Sequence, residues 1–390
     1  MKKNLSIIAS LLLSTSLFGD NLEDAFKNLK VNGEIKSAYV DSNFLGNIKS
    51  DDISAIGGNL GVQTDTFYGL SAGTTFQISH VLNDDLNNTT NSRVNNFNAS
   101  ESILSEAFLN YKLSNTSIKA GRQFINTPLV SSGIDGKSSE SIIKDSYEAY
   151  IVTNTDIPNT TVMGGYIDKY QSPTSSNGNI GKFENIEDGA YTILLKNNSL
   201  ENLTLQGQYL DINGIQAAND KDALYFQADY QLSTQTLSAQ YLSSNNGTSD
   251  GELYGAKATG PLGIWKLGYL AAYTSSTNNT GDIYNGIGEG VTDTPFTAMP
   301  VHGGGVPSRA DTDTVVGAIV IPILETKLIP YAGKSFSKTH VLGDVSAVGS
   351  MFIYPIAKGL LFKAEYEHVE VEKIITENTD TSRVYLSYKF

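Results

Sequence analysis

The chain has 390 residues, no cysteine, 17% charged residues and a formal net charge of −14. The missing cysteines exclude a disulfide framework and a lipid-modified cysteine anchor, and the scattered basic residues of an acidic chain exclude a nucleic-acid binder. Water-soluble domains carry about 25% charged residues, so low charge together with 36 Gly and 21 Tyr points away from an ordinary soluble fold.

Residues 1–19 have the layout of a secretory signal peptide. Lys2 and Lys3 start it, Ile7, Ile8, Leu11, Leu12 and Leu13 form its apolar centre, and a small polar stretch runs to Gly19. The apolar part falls short of the about 20 residues that a spanning helix needs. Cleavage after Gly19 is the favoured site, with Ser16 the alternative. The expected division is therefore 1–19 signal peptide and 20–390 a single domain. Residues 20–30 are too few to form a separate plug. No later segment is apolar enough to cross a membrane as a helix.

From residue 31 onward the pattern is alternation with period two. Eighteen runs carry it: 31–43, 53–64, 68–79, 101–113, 116–124, 146–153, 160–168, 188–196, 202–210, 222–231, 235–242, 252–259, 263–274, 311–321, 326–335, 344–353, 358–369 and 382–390. Sixteen is the alternative count. Connections alternate between short turns, such as 65–67 and 114–115, and long loops, such as 80–100, 125–145, 169–187 and 275–310. This predicts an all-β fold: a transmembrane antiparallel β-barrel of about 18 strands, with short periplasmic turns, long extracellular loops and both ends of the chain on the periplasmic side. Pro158, Pro261, Pro322 and Pro355 fall in predicted turns, as expected of a residue with no N–H to give a ladder. Pro330 is the exception and predicts either a bulge or a misplaced run.

Two faces are legible within the runs. Leu203, Leu205, Gly207 and Tyr209 oppose Thr204, Gln206 and Gln208. Leu224, Phe226, Ala228 and Tyr230 oppose Tyr225, Gln227, Asp229 and Gln231. Trp265, Leu267, Tyr269, Ala271 and Tyr273 oppose Lys266 and Gly268. One face suits hydrocarbon and the other a wet lumen. Tyr39, Tyr111, Tyr209, Tyr230, Tyr241, Tyr273, Tyr366 and Tyr388 lie on the apolar parity and predict interfacial aromatic girdles.

The last run, Arg383-Val384-Tyr385-Leu386-Ser387-Tyr388-Lys389-Phe390, alternates to the final residue. It resembles the terminal strand of bacterial outer-membrane barrels, in which the closing aromatic is read by the barrel-assembly machinery; Tyr388 and Phe390 are its candidate signal. Three further stretches are similar to the OprD-like porins of ε-proteobacteria. They are Asp24-Ala25-Phe26-Lys27 with Val31-Asn32-Gly33-Glu34-Ile35, Gly121-Arg122-Gln123 with Thr127-Pro128-Leu129, and Tyr166-Ile167-Asp168-Lys169. The resemblance implies an outer-membrane channel for small polar or charged solutes with opposed acidic and basic residues at its constriction. One departure stands out. The Asp-Arg pair usual in the constriction loop is missing, because Asp135 is followed by Gly136 and Lys137, so solute identity does not carry over.

About eighteen strands enclose an aqueous bore, and the loop 125–145 is the candidate constriction. The expected pore-lining set is Lys36, Glu106, Lys119, Arg122, Asp135, Glu148, Lys363 and Glu365. Arg122 has lipid-side parity, and a bulge at Gly121 is expected to turn it inward, because an arginine facing hydrocarbon is costly. Arg383, Tyr385, Ser387 and Lys389 are expected at the periplasmic exit. Acids gather in loops, as in Asp51-Asp52, Asp84-Asp85 and Asp311…Asp313, which predicts an acidic vestibule over a slightly basic lumen. Each lumen charge also has a plain reading as a solvated wall residue. The acidic loops could equally keep the surface hydrated or bind cations that bridge lipopolysaccharide.

No cofactor and no metal site is expected. Asp311-Thr312-Asp313 lacks EF-hand spacing. Gly286-Ile287-Gly288-Glu289-Gly290 and Gly303-Gly304-Gly305 lack the strand-before, helix-after context of a phosphate loop and read as flexible loop. The histidines His80, His302, His340 and His368 come with no Gly-x-Ser-x-Gly elbow, so an enzyme is not expected. The expected partners are outer-membrane lipid and lipopolysaccharide, the assembly machinery and small solutes, in a monomer or homotrimer in the outer membrane of a Gram-negative cell. The alternative is an adhesin or structural barrel acting through loop 275–310.

Overall fold

The computed structural model describes residues 22–44, 51–83, 92–133, 140–175, 178–214, 220–276, 281–301, 305–374 and 377–390. The predicted signal peptide 1–19 and Asp135 lie outside them. Eighteen strands form, each over one of the alternating runs. They are β1 (Lys30–Phe44), β2 (Asp51–Gln63), β3 (Leu70–Val81), β4 (Glu101–Leu113), β5 (Thr116–Gln123) and β6 (Ser146–Asn154). Next come β7 (Thr160–Gln171), β8 (Glu184–Leu200), β9 (Leu203–Ile212), β10 (Lys221–Leu232), β11 (Gln235–Asn245) and β12 (Asp250–Pro261). The last six are β13 (Gly268–Ser276), β14 (Thr312–Ile323), β15 (Thr326–Ser337), β16 (Val345–Ala357), β17 (Leu360–Val371) and β18 (Thr379–Lys389). Two short helices, α1 (Leu22–Lys27) and α2 (Ser92–Asn95), lie outside the sheet.

Every strand pairs antiparallel with its sequence neighbours, and β18 returns to β1, so the sheet closes and keeps no edge. The closing register runs from Glu34 opposite Lys389 to Phe44 opposite Thr379. Phe390 continues it: its N–H and C=O exchange bonds with Gly33, each 3.1 Å. The phenyl ring lies over the bare Cα of Gly33, where a Cβ would come within 2.7 Å of it. Tyr388 and Phe390 stack on the outer face, ring centroids 6.0 Å apart.

The outer face is apolar. Ile35, Leu60, Phe76, Leu109, Ile193 and Phe226 each expose 48–57% of their surface away from the core. A closed barrel satisfies its own backbone and can present such a belt to lipid. Near the long-loop end the belt is edged by tyrosines whose hydroxyls donate to carboxylates: Tyr273 to Asp313 at 2.9 Å, Tyr254 to Glu252 at 2.9 Å and Tyr366 to Asp380 at 2.7 Å. Shallow grooves along Ala256, Ala271 and Gly317 also lie on this outer face, outside the bore.

Several local expectations are corrected. β13 begins at Gly268, not 263, because Trp265 and Lys266 adopt left-handed turn conformations (φ 47° and 58°). Trp265 is 87% exposed in that turn, and Lys266 does not line the lumen. Pro261, Pro322 and Pro355 close strands instead of sitting beyond them. Pro330 lies inside β15 without a bulge: the β14–β15 ladder skips the two positions opposite 329–330 and resumes in register at Ile321 and Leu328. The missing N–H simply removes a rung. An unforeseen bulge occurs in β4, where the register steps from Glu106 to Leu104 and turns both Ser105 and Glu106 inward.

Candidate channel constriction

Two loops meet across the bore, and a third, the β3–β4 loop, packs Val94, Phe97 and Ala99 on the inner wall with Val40, Ile53 and Tyr385. The β5–β6 loop leaves the barrel at Gln123 and first meets the far wall. Leu129 N–H donates to Gln208 Oε1 of β9 at 2.9 Å, and Gln208 Nε2 donates to Thr127 Oγ1 at 2.8 Å. Its return limb lies on the other side. Glu140 bridges Lys36 of β1, at 3.2 Å, and Lys363 of β17. Lys144 reaches Glu34 at 3.4 Å, while its peptide unit is gripped by both ends of the Gln77 amide of β3, at 2.9 and 2.8 Å. In an eighteen-strand ring β9 is opposite β18, so this loop crosses the bore.

The β13–β14 loop, expected as an outer surface, also turns inward. Gln240 of β11 holds it as Gln77 holds the other: Phe296 N–H donates to Oε1 and Nε2 donates to Thr294 O, both 2.9 Å. Thr297 and Thr274 share a hydroxyl bond of 2.6 Å. Further on, Val301 N–H donates to Glu367 Oε2 (3.3 Å), and Arg383 Nη1 donates to Pro300 O (3.4 Å). Met299 and Val306 pack with Val316, Val345 and Val369 of the wall. Its apolar residues Ile283, Ile287, Val291, Phe296, Met299 and Val301 are buried. That apolar content was the available sequence signal, since an outer loop in water has no use for it.

The loops meet along a seam. Ile287 N–H donates to Leu129 O (3.0 Å) and Ser131 N–H to Ile287 O (3.1 Å). Thr294 Oγ1 donates to Pro128 O (2.7 Å), Tyr147 OH to Ile287 O (2.9 Å), and Glu289 N–H to Asp145 Oδ2 (2.5 Å). Gly288 has φ 101°, and a Cβ there would sit 2.2 Å from Ser131 O. The glycine-rich run 286–290 is therefore a fitted joint and not flexible loop. A cavity of about 370 Å3 opens on one side of the seam against Tyr170, Tyr284 and Ile287. A second of about 370 Å3 lies on the other side against Pro128, Gln227, Lys257 and Phe296.

The charged wall joins expected and unexpected residues. Lys36, Lys363 and Glu365 come together with Glu34, Glu367 and Arg383 of the barrel and with Glu140 and Lys144 of the loop. Lys363 meets Glu365 at 3.0 Å, and Arg383 approaches it at 4.0 Å. Tyr331 OH donates to Glu367 at 2.7 Å. Four bases meet four acids, so the cluster is formally neutral. Burial pushes the Lys144 ammonium below its ordinary range, opposed by Glu34. Arg383 is buried beneath the β13–β14 loop, and Tyr385 is buried against Phe97 with Ile142 and Ile143 nearby, instead of both lining an open exit.

Lys119 and Glu106 form a separate inward pair at 3.3 Å, with Thr75 on Glu106 at 2.7 Å and the Lys119 amine 3.8 Å from the Phe108 ring centroid. Arg122 and Glu148 do not line the bore. They are cross-strand partners on the outer parity, 3.9 Å apart, and Lys169 joins Glu148 at 3.2 Å. Gly121 has φ 118° but shifts no register, since a Cβ there would strike Ala107 O at 2.3 Å and the close approach keeps the ladder straight. The cost of an outward arginine is met differently: Arg122 donates to Leu104 O at 3.2 Å and lies 4.0 Å from the Phe183 ring centroid.

No family model and no curated protein matches the sequence. Solved structures do match in three dimensions. OpdO of Pseudomonas aeruginosa superposes with a TM-score of 0.75 at 13% identity, over 95% of this chain and 99% of that one. OccAB1 of Acinetobacter baumannii gives 0.74 at 12% identity, over 93% and 97%. OpdK of Pseudomonas aeruginosa, solved with vanillate, gives 0.72 at 12% identity, over 93% and 99%. The fold is that of the OprD/Occ channels. At these identities the likeness is one of architecture, and the solute of any neighbour stays with that neighbour.

Proposed function

We propose that this chain is an outer-membrane channel of a Gram-negative bacterium through which small hydrophilic solutes and ions diffuse passively, with weak charge selectivity. One observation carries the reading: a closed barrel with an apolar outer belt has a polar bore crossed by two loops that are bonded to its walls. Charged groups at such a narrowing set ion preference in pores generally. The acidic loops enrich cations at low salt, and screening removes that advantage as salt rises. The sequence motifs favour the ε-proteobacterial branch of OprD-like porins. Export on the 1–19 signal peptide, recognition of Tyr388 and Phe390 by the assembly machinery, contact with lipopolysaccharide, and a monomeric or homotrimeric state belong to the same proposal. The adhesin reading loses ground, because the described part of the 275–310 loop on which it relied packs into the bore.

The test is purified protein in a planar bilayer under a salt gradient. Stable ohmic steps support the channel, and the reversal potential should report weak cation preference at low salt. Folded, heat-modifiable protein that never conducts would sink the reading.

A further inference from the structure

Asp145 ends the β5–β6 loop and is wholly buried. Its Oδ2 accepts the Glu289 N–H, and its Oδ1 has no hydrogen-bond partner. Glu289 itself is partly buried, and Asp293 lies beyond it. The other groups facing Asp145 are phenols: Tyr147 from β6, Tyr170 from β7, and Tyr284 from the β13–β14 loop. The adjacent Lys144 sends its ammonium to Glu34. Among the described residues no base forms an ion pair with either carboxyl of the seam. Among the described residues the other buried acid cluster of the bore, Glu34, Glu140, Glu365 and Glu367, has lysine and arginine within it, so this pair is different in kind.

We infer that the seam between the two loops is an acid-locked gate, held while Asp145 and Glu289 keep a proton between them and loosened when both ionise. Two carboxylates in one largely enclosed site, with Asp145 wholly out of water, repel when both are charged, so one neutral partner is needed for the loops to stay joined. Burial and mutual repulsion push the Asp145 carboxyl well above its ordinary range, and burial with Asp293 raises Glu289. The sign follows from linkage. A carboxyl held high in the docked state gives full docking strength below the ordinary carboxylate range. That strength is lost as pH rises through the raised range. Each tenfold by which docking weakens the acidity of a carboxyl shifts the equilibrium between joined and parted loops about tenfold once the pair is ionised.

The gate rests on the channel reading, so two readouts are needed. In bilayers, the frequency of opening transitions should rise as pH climbs above the ordinary carboxylate range, where a raised carboxyl ionises. Asp145→Asn keeps the acceptor for Glu289 N–H but cannot ionise, so it should hold the low-pH pattern throughout. Glu289→Gln is the second variant should the first fail to give heat-modifiable protein. Independently, hydrogen exchange on folded protein should show protection of the Ile287 and Ser131 amides falling with pH, after correction for intrinsic exchange, and staying flat in both variants. Equal pH slopes in wild type and Asp145→Asn, or no slope in wild type, overturn the gate. Folded protein without conductance overturns the channel reading, and the exchange data still decide the seam.

Discussion

The two walls of the bore hold the same loops by different chemistry. On the β9–β11 side, Gln240 pairs with loop backbone through both a donor and an acceptor, and Gln208 accepts the Leu129 N–H and donates to the Thr127 hydroxyl. On the β17–β18–β1 side, eight charged groups from wall and loop neutralise one another. An amide bonded to a peptide unit extends the sheet's own hydrogen bonding and contributes about 1 kcal/mol. A buried ion cluster is conditional: it is stable only while every member is present, because a charge left alone away from water is costly. The amide wall should therefore fail gradually under mutation and the charged wall abruptly.

The sharpest break is expected from Arg383→Ala. It leaves Glu365 and Glu367 without their guanidinium and frees Pro300 O, a loss of about 3–5 kcal/mol for a severed buried pair. The measurement is the temperature at which folded protein shifts to its denatured gel mobility, which should drop, with noisier conductance from a released β13–β14 loop. Next is Glu140→Gln, which removes the carboxylate shared by Lys36 and Lys363 and leaves Glu34 and Glu365 to hold them. Removing one partner of a buried hydrogen bond costs about 1–3 kcal/mol. The more specific outcome is a reversal potential displaced toward anions, with Lys36→Gln displacing it toward cations. Unchanged potentials in both would mean that the permeation path avoids the charged wall.

Most of the barrel could be read in the sequence because strand alternation is a local signal, repeated eighteen times, and closure needs only an even set. The charged wall was half legible. Lys36, Lys363 and Glu365 follow from parity, but Glu140 and Lys144 sit in a loop, where no period says which way a side chain points. Arg122 and Glu148 show the opposite failure. Parity placed Arg122 outside, and the cost of a lone arginine in lipid argued for turning it in. That cost is removed by Glu148, the Leu104 carbonyl and Phe183, partners brought together only by the register of three strands and a folded-over loop. The β13–β14 loop was missed because glycine was read as freedom, whereas Gly288 serves close approach.

Smaller effects sharpen the comparison. Gln208→Ala should cost about 1 kcal/mol and speed hydrogen exchange at Leu129, while the reversal potential stays put, since no charge changes on the amide wall.

The smallest effect is expected outside the bore. Arg122, Glu148 and Lys169 form an ion cluster as well connected as some inside, but their side chains remain about one-third exposed. Partly exposed pairs contribute about 0–1 kcal/mol. Arg122→Ala and Glu148→Gln should therefore leave both conductance and reversal potential at wild-type values, with at most a slight fall in the gel-shift temperature. The same class of substitution at Lys36 or Glu140 should move the reversal potential. If Glu148→Gln altered ion preference as Glu140→Gln does, Glu148 would have to face the solute, and the strand register that puts it outside would be wrong at β6.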